Sequence, residues 1–403
     1  MTGAQMGGSG PAGRTSRAGH EPLMTPAFAA LSAAVLAFFI SGAIFLPATP
    51  RYTFGPLGGD EVAVGIVIGA FSISSVIMRP FAGRLADRRG RRIGLVLGAV
   101  VTVGAALGHL VASDVPTLIV MRLLLGVGEA LFFVAGLAAA TDLAPENRRG
   151  EAISLVSLSL YLGVAIGPVI GETVYAWNGY TAVWLVAAAI AALAVGLSWI
   201  APETLSGASR EAAPRNERFF DRRGLEPGLL ALCGVFGMGP FFAFLPLMTD
   251  DLDIGASTYF AVFAIIVVVL RVIGAKLPDR IGAARLSGTA LVVSAAGMGV
   301  AGLVPTQLGL LAGTALFAIG VAFTFPAIMA MSVVGVPPAE RGVVVGTASL
   351  FIDVAFGLSP AALGLLASAT GYPPTFLVSG VIAAIGAAWL LIRRPGRIAP
   401  APA

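Results

Sequence analysis

The chain has 403 residues, of which 57% are hydrophobic and only 11% are charged, and its mean hydropathy is +0.92. Soluble domains carry about 25% charged residues, so this composition excludes an ordinary soluble protein. Cys233 is the only cysteine, which excludes a disulfide framework within the chain.

Apolar runs of membrane-spanning length occur twelve times along the chain, each close to the roughly 20 residues that a bilayer helix needs. The pattern predicts an all-α membrane protein with twelve transmembrane helices. The runs lie at 27–47, 62–82, 93–111, 117–140, 152–170, 182–201, 228–248, 258–277, 287–304, 308–331, 343–368 and 375–392.

The basic residues predict the orientation of these helices. If both termini are cytoplasmic, 21 of the 25 Lys and Arg residues fall on the cytoplasmic side, as the positive-inside rule requires. Arg51 is then assigned to an outer loop, and Arg79, Arg122 and Arg271 to helices. We expect a multi-pass protein of the cell membrane whose net charge of +4 reflects orientation and not nucleic-acid binding.

An internal repeat relates the two halves of the chain. RPFAGRLADRRG at 79–90 matches RVIGAKLPDRIG at 271–282, and PENRRG at 145–150 matches PPAERG at 337–342, both with an offset of 192 residues. Parallel six-helix repeats place a substrate site between the halves near the membrane midplane and work by alternating access. The predicted parts are a disordered cytoplasmic tail at 1–24, six-helix bundles at 25–202 and 227–394, a cytoplasmic linker at 203–226 and a tail at 395–403.

The loop between the second and third helices, GRLADRRGRR, combines glycines with charged residues. Gly83 and Gly90 permit a tight turn, and Asp87 can face a helix N-terminus, where the helix dipole favours negative charge. The arginines could pair with the other half and latch the cytoplasmic side shut in one state. The alternative is that these charges only fix the topology.

This loop resembles the helix 2–3 motif of the major facilitator superfamily, and AKLPDRIG at 275–282 resembles its second copy. RLLLGVG at 122–128 is similar to the helix 4 motif of that superfamily, and GVAIGPVIGE at 163–172 is similar to the helix 5 motif of its 12-helix drug–proton antiporters. The matching helix 5 positions are Gly163, Gly167, Pro168 and Gly171. Ser154 and Glu172 replace two glycines of that motif.

The resemblance implies two bundles around a central cavity and a latch in the loop. By resemblance the latch of the first half contains Asp87, Arg88 or Arg91, and Asp142, with Asp87 facing the start of helix 11. The second half contains only part of the latch, because Val334 occupies the position equivalent to Asp142. The second copy keeps Asp279 and Arg280.

Charged residues also lie deep within predicted helices. Glu129 is about 12 residues into helix 4, or roughly 18 Å deep, and Asp353 lies near the middle of helix 11. A carboxylate at that depth is costly unless it is protonated, paired or in a wet cavity. We predict that both line the cavity and that at least one exchanges protons with substrate; the alternative is a static ion-pair network. Arg122 would tune that exchange or hold a substrate anion, and Tyr161 would supply a cavity hydroxyl.

The remaining charged and small residues of the helices have structural interpretations. Arg79 and Arg271 would snorkel or support the latch, and Glu172 would be solvated at the outer interface. Pro168 and Pro360 predict kinks. The helix 5 glycines, spaced by four residues, allow close helix approach, either at the moving interface between the halves or as ordinary packing.

Three functions fit these observations. The first is proton-coupled efflux of amphiphilic compounds or drugs, favoured by the Phe- and Met-rich runs of helices 7 and 10, provided that these face the cavity. The second is transport of a small anionic metabolite or a sugar, although the scarcity of Asn and Gln in the spans disfavours a sugar. The third is a receptor or scaffold that transports nothing. We expect a monomer in the lipid bilayer that binds a small molecule and protons, needs no cofactor or metal and catalyses no reaction.

Overall fold

The computed structural model describes residues 23–145, 148–205, 220–250, 255–274, 277–337 and 340–393. The predicted tails and the linker lie outside these ranges, except for residues 23–24, 203–205 and 220–226. The side chain of Asp279 also lies outside the described part of the chain.

The described part of the chain contains twelve helical segments that correspond to the predicted spans, one of them made of three short pieces. Eleven segments are long and apolar enough to cross a membrane, and one of them breaks at Asn178 and Gly179 into two helices. The predicted all-α architecture is therefore confirmed. The helices are α1 (Pro26–Phe54), α2 (Glu61–Arg89), α3 (Arg91–Gly108), α4 (Val115–Leu143), α5 and α6 (the two parts of Arg149–Ile200), α7 (Leu225–Val235, continued by Met238–Ala243 and Leu245–Met248), α8 (Ala256–Ile273), α9 (Ala283–Leu303), α10 (Gln307–Ser332), α11 (Arg341–Thr370) and α12 (Pro373–Arg393).

Local sequence signals set several helix ends. The side chains of Thr25, Asp60, Asp114 and Thr306 each accept a hydrogen bond from the third residue after them, as N-cap residues do. Gly90, between α2 and α3, has a φ of +118°, a backbone conformation that favours glycine. A five-residue helix, Leu277–Ile281, lies at the corresponding place in the second half.

Several helices extend beyond the apolar runs that predicted them, and for α1 and α7 the difference changes an assignment. α1 continues seven residues past the predicted end at 47 and carries Arg51 inside a helix instead of a loop. α7 is not one continuous helix but three short pieces, and Pro240 and Pro246 lie near the starts of the second and third pieces. Proline is favoured at a helix start and disfavoured in its interior, which accounts for these breaks.

The repeat in the sequence reappears in the packing. Within the first half α1 packs on α5 and α6, α2 on α4, and α3 on α4 and α6. Within the second half the contacts include α7–α11, α8–α10, α9–α10 and α9–α12. The halves meet through α2 against α11 and α5 against α8. Glycines allow the α2–α11 contact, because a Cβ on Gly65 would lie 2.3 Å from the Pro360 carbonyl oxygen and one on Gly69 2.5 Å from that of Gly357.

Candidate transport cavity

A cavity of about 300 Å³ lies between the two halves. Helices α1 to α5 contribute to its wall from one half and α7, α8, α10 and α11 from the other. Most of the wall is aliphatic or aromatic, and Met238 and Phe325 of the Phe- and Met-rich runs are part of it. The charged side chains at the wall are Arg79, Arg122, Glu129, Arg271 and Asp353.

The carboxylate of Asp353 forms an ion pair across the cavity with Arg79. The two guanidinium Nη atoms of Arg79 lie 2.7 and 3.1 Å from the two carboxylate oxygens of Asp353. Of these two contacts only the one from Nη2 to Oδ1 is a hydrogen bond; Oδ2 is within ion-pair distance of Nη1 but accepts no hydrogen bond from the described residues. Since Arg79 is in α2 and Asp353 in α11, the ion pair connects the two halves of the protein.

Glu129 lies beside this ion pair within the first half. Its carboxylate is 3.8 Å from the guanidinium of Arg79 and accepts a hydrogen bond from the Ser75 hydroxyl. The Arg79 guanidinium also lies 5.2 Å from the centre of the Phe133 ring. Arg79 therefore has one carboxylate partner in each half, and the contact to Asp353 is the closer.

Arg79 and Arg271 were expected to snorkel or to support the latch, and the structure places both at the cavity wall instead. Arg79 and Arg271 each precede the loop motif of their half by four residues. They lie on turns of α2 and α8 that face the cavity. The repeat itself could have identified them, because Arg79 and Arg271 occupy equivalent positions in the two halves. An arginine that only snorkels does not have to occur at the same position in both halves, so its repetition indicates another role.

Arg271 has a different environment from Arg79. Its guanidinium carbon lies 3.3 Å from the centre of the Tyr161 ring, and both residues line the cavity. In the described part of the chain, no carboxylate pairs with Arg271, and its buried Nε has no hydrogen-bond partner.

Arg122 is deeper in the protein than the other cavity arginines. It is 3% exposed, its Nε donates to the Val67 carbonyl oxygen at 3.4 Å, and its guanidinium lies 5.2 Å from the centre of the Phe71 ring. These contacts fix it inside the first half, with little surface left for a substrate.

The residues of the predicted latch come together in the first half. Arg91 contacts the Asp87 carboxylate and lies 3.2 Å from that of Asp142, to which the Thr204 hydroxyl also donates at 2.9 Å. Glu203 accepts hydrogen bonds from the first backbone amides of α3, those of Arg91 and Arg92. These contacts join residues of the first half with each other and with the start of the linker. Much of the segment before helix 11 that the resemblance places opposite Asp87 lies outside the described residues.

The other latch residues contribute less to this cluster. Arg88 is exposed, and a Cβ on Gly83 would have open space around it. Arg280 of the second copy is also exposed.

The glycine stripe of α5 packs on α1. A Cβ on Gly163, Gly167 or Gly171 would lie within 2.7 Å of Phe39, Ala43 or Ile44, respectively. These residues belong to the same half, so the stripe serves close packing inside one bundle and not the interface between the halves. The helix continues through Pro168, and its only non-helical residues are Asn178 and Gly179.

An ion-pair network joins the two halves at the end of the bundle opposite the loop motif. Arg51, 8% exposed, pairs with Glu172 of α5, reaches Asp250 of the second half at 2.7 Å and donates to the Pro246 carbonyl oxygen at 3.0 Å. Glu172 was expected to be solvated but is 6% exposed, because Arg51 neutralises it. We call Arg51, Glu172 and Asp250 the Arg51 network.

Comparison with known proteins agrees with this architecture. The family model of the Major Facilitator Superfamily matches residues 30–306 and 228–403. An uncharacterized MFS-type transporter of Salmonella typhimurium (strain LT2) is 30% identical over 377 residues, which cover 90% of this chain and 96% of the relative. This chain therefore belongs to the major facilitator superfamily, a family of membrane transporters and not of enzymes, and the receptor or scaffold alternative is wrong.

Other similarities are more partial or concern the fold alone. A multi-drug resistance efflux pump PmrA homolog of Lactococcus lactis subsp. lactis (strain IL1403) is 30% identical over 170 residues, 40% of this chain and 41% of that protein. The crystal structure of a bacterial homolog of the human lysosomal transporter Spinster is 18% identical and superposes with a TM-score of 0.74 over 96% of this chain and 100% of that one. That of the human organic anion transporter MFSD10 gives 0.68 at 17% identity, over 91% and 100%.

Proposed function

We propose that this transporter exports amphiphilic small molecules by alternating access and that protons drive the export. The observation that carries the proposal is the Arg79–Asp353 ion pair, which joins the two halves inside a mainly apolar cavity. The partial similarity to a protein named as a multi-drug efflux pump homolog supports the same substrate class and direction.

The proton step follows from the two carboxylates around Arg79. A proton on Asp353 removes the charge that attracts Arg79 across the cavity. Glu129, already 3.8 Å away and held by the Ser75 hydroxyl, then becomes the partner of Arg79. Protonation would thus transfer Arg79 from a partner in the other half to a partner in its own half, which loosens the contact between α2 and α11.

Alternating access requires one end of the cavity to be closed while the other opens. The Arg51 network and the glycine contacts of α2 with α11 connect the halves at one end. At the other end, the contacts of Asp87, Arg91 and Asp142 stay within the first half. We assign the loop-motif end to the cytoplasm of the cell, from the basic residues there, so that this structure corresponds to a state closed toward the outside.

The cavity wall supports an amphiphilic substrate. Phe263, Met238 and Phe325 supply apolar and aromatic surface, which adapts to ligands of varied shape. Transport of a small anionic metabolite held by Arg122 is less well supported, because that guanidinium is almost fully buried and bonded to the protein backbone.

Proton-coupled transport in liposomes tests the proposal. Purified protein is reconstituted with a pH-sensitive dye inside, a pH gradient is imposed, and lipophilic cations, neutral drugs and organic acids are added. We expect substrate-evoked proton movement for the wild type and its loss in Asp353→Asn. Glu129→Gln should reduce it, because Arg79 then lacks its second partner.

An exposed carboxylate far from the cavity supplies the matched control. Asp114 caps α4, and the hydrogen bond from the Thr117 backbone amide lowers the pKa of its carboxyl, so it stays ionised at neutral pH. Asparagine also caps helices well, and Asp114→Asn should keep full coupling. Substrate transport without proton movement in the wild type would refute proton coupling. Proton movement that persists in Asp353→Asn would refute the role of Asp353.

A further inference from the structure

The repeat places equivalent residues on opposite sides of the cavity. An offset of 192 residues relates Arg79 to Arg271 and likewise Tyr161 to Asp353. The structure joins these residues in equivalent pairs, Arg79 with Asp353 and Arg271 with Tyr161, and each pair links the two halves. The cavity therefore contains two symmetry-related arginine sites with different partners.

The partners give the two sites opposite electrostatic characters. Arg79 has the carboxylates of Asp353 and Glu129 within 4 Å. At the Arg271 site a tyrosine replaces Asp353, and Val321, which also lines the cavity, replaces Glu129. The Arg271 site therefore retains the cation of the repeat and has lost both of its anions.

A cation in this position is costly without a counter-charge. The Tyr161 ring face stabilises the guanidinium but carries no charge. Burying an arginine away from water without an anion is unfavourable, and the buried Nε of Arg271 has no partner among the described residues. The side chain is only partly buried and lies at the wall of the cavity, so a ligand there can reach it.

We propose that Arg271 and Tyr161 bind the anionic group of the transported molecule, a carboxylate or sulfonate attached to an apolar or aromatic body. The proposal rests on the export function proposed above and specifies its substrate class. The guanidinium presents a planar set of donors that matches a carboxylate or sulfonate. Phe325, whose ring centre is 6.0 Å from that of Tyr161, and Val267 supply apolar surface next to it.

The two arginine sites then have different functions in transport. Arg79 with its two carboxylates handles the proton, and Arg271 with Tyr161 holds the substrate. Changes at Arg271 should therefore alter which molecules bind, and changes at Asp353 should alter proton coupling. This separation makes the substrate proposal testable independently of the proton proposal.

Three molecules with the same naphthalene body and differently charged head groups measure the preference. Binding of 2-naphthoate, 2-naphthalenemethanol and 2-naphthylmethylammonium to the full-length protein in lipid nanodiscs is measured by isothermal titration calorimetry. We expect the carboxylate to bind about tenfold or more tightly than the alcohol, the scale of one charge-assisted hydrogen-bonded pair. The ammonium should bind more weakly than the carboxylate.

Variants at the two positions assign the preference to this site. Arg271→Gln should reduce the carboxylate-to-alcohol ratio to about one, whereas Arg271→Lys, which keeps the charge, should retain part of it. Tyr161→Asp would recreate the ion pair of the Arg79 site and should also abolish the preference without removing any cation. Asp114→Asn, which lies outside the cavity, is the control, and it should bind 2-naphthoate as the wild type does.

Each outcome decides the proposal. Equal binding of the carboxylate and the alcohol by the wild type would overturn it, and so would an unchanged ratio in both Arg271→Gln and Tyr161→Asp. If Asp353→Asn loses proton movement but keeps the preference for 2-naphthoate, both proposals stand. If Asp353→Asn keeps proton movement and Arg271→Gln loses the preference, the proton proposal fails and the anion site stands.

Discussion

Substitution of Arg51 by glutamine should open the end of the transporter that the Arg51 network closes. The contacts that hold the halves together there are the ion pair of Arg51 with Asp250 and its hydrogen bond to the Pro246 carbonyl oxygen. The ion pair with Glu172 lies within the first half, so it persists in both states and contributes little to the difference between them.

The structure allows an estimate of the effect. Asp250 is about half exposed, so solvent screening limits its ion pair to about 0.5–1 kcal/mol. The buried hydrogen bond from the charged guanidinium to the Pro246 oxygen contributes about 1.5–3 kcal/mol. Losing both would favour opening by about 2–4 kcal/mol, or roughly thirtyfold to several hundredfold in the equilibrium.

Labelling of a cavity cysteine reports this equilibrium. Cys233 is the only native cysteine, so Cys233→Ala provides the background, and Gly42→Cys places the probe at the cavity wall, where a Cβ meets no atom within 4 Å. A membrane-impermeant maleimide added from the Arg51 side should label the Arg51→Gln variant much faster than its parent. Asp250→Asn should give a smaller increase, because it spares the Pro246 contact. Equal labelling rates in Arg51→Gln and the parent would refute the idea that this network closes the cavity.

Two further predictions concern packing and helix capping. Gly167→Ala should lower the free energy of unfolding by about 1–3 kcal/mol, because its Cβ would lie 2.4 Å from that of Ala43; the thermal midpoint in detergent measures this. Gly196→Ala, which meets no atom, is the control and should stabilise slightly, so equal midpoints would contradict the packing argument. Glu203→Ala should lower the free energy of unfolding by about 1 kcal/mol, because it removes the acceptor for the first backbone amides of α3. Hydrogen exchange at the amides of Arg91 and Arg92 should then become faster, and unchanged exchange rates would exclude this capping role.

The sequence by itself determined the membrane class, the helices and the duplication. Apolar runs identify spans because the bilayer requires every backbone polar group to be bonded within its helix. A constant offset of 192 residues identifies the halves, since equivalent positions keep their spacing after duplication. The depth of Glu129 and Asp353 within their spans also followed from sequence, because depth is counted along the chain.

Only the tertiary structure decided which charges meet. Arg79 reaches Asp353 across 274 positions of the chain, and Arg51 reaches Asp250 across 199, and no local pattern encodes such distances. The same holds for the direction of the α5 glycines, which pack on α1 within their own half. The rotation of each helix about its axis depends on the side chains of several neighbouring helices at once. For this reason only the tertiary structure shows that Arg79 contacts a carboxylate, whereas the equivalent Arg271 contacts a tyrosine ring.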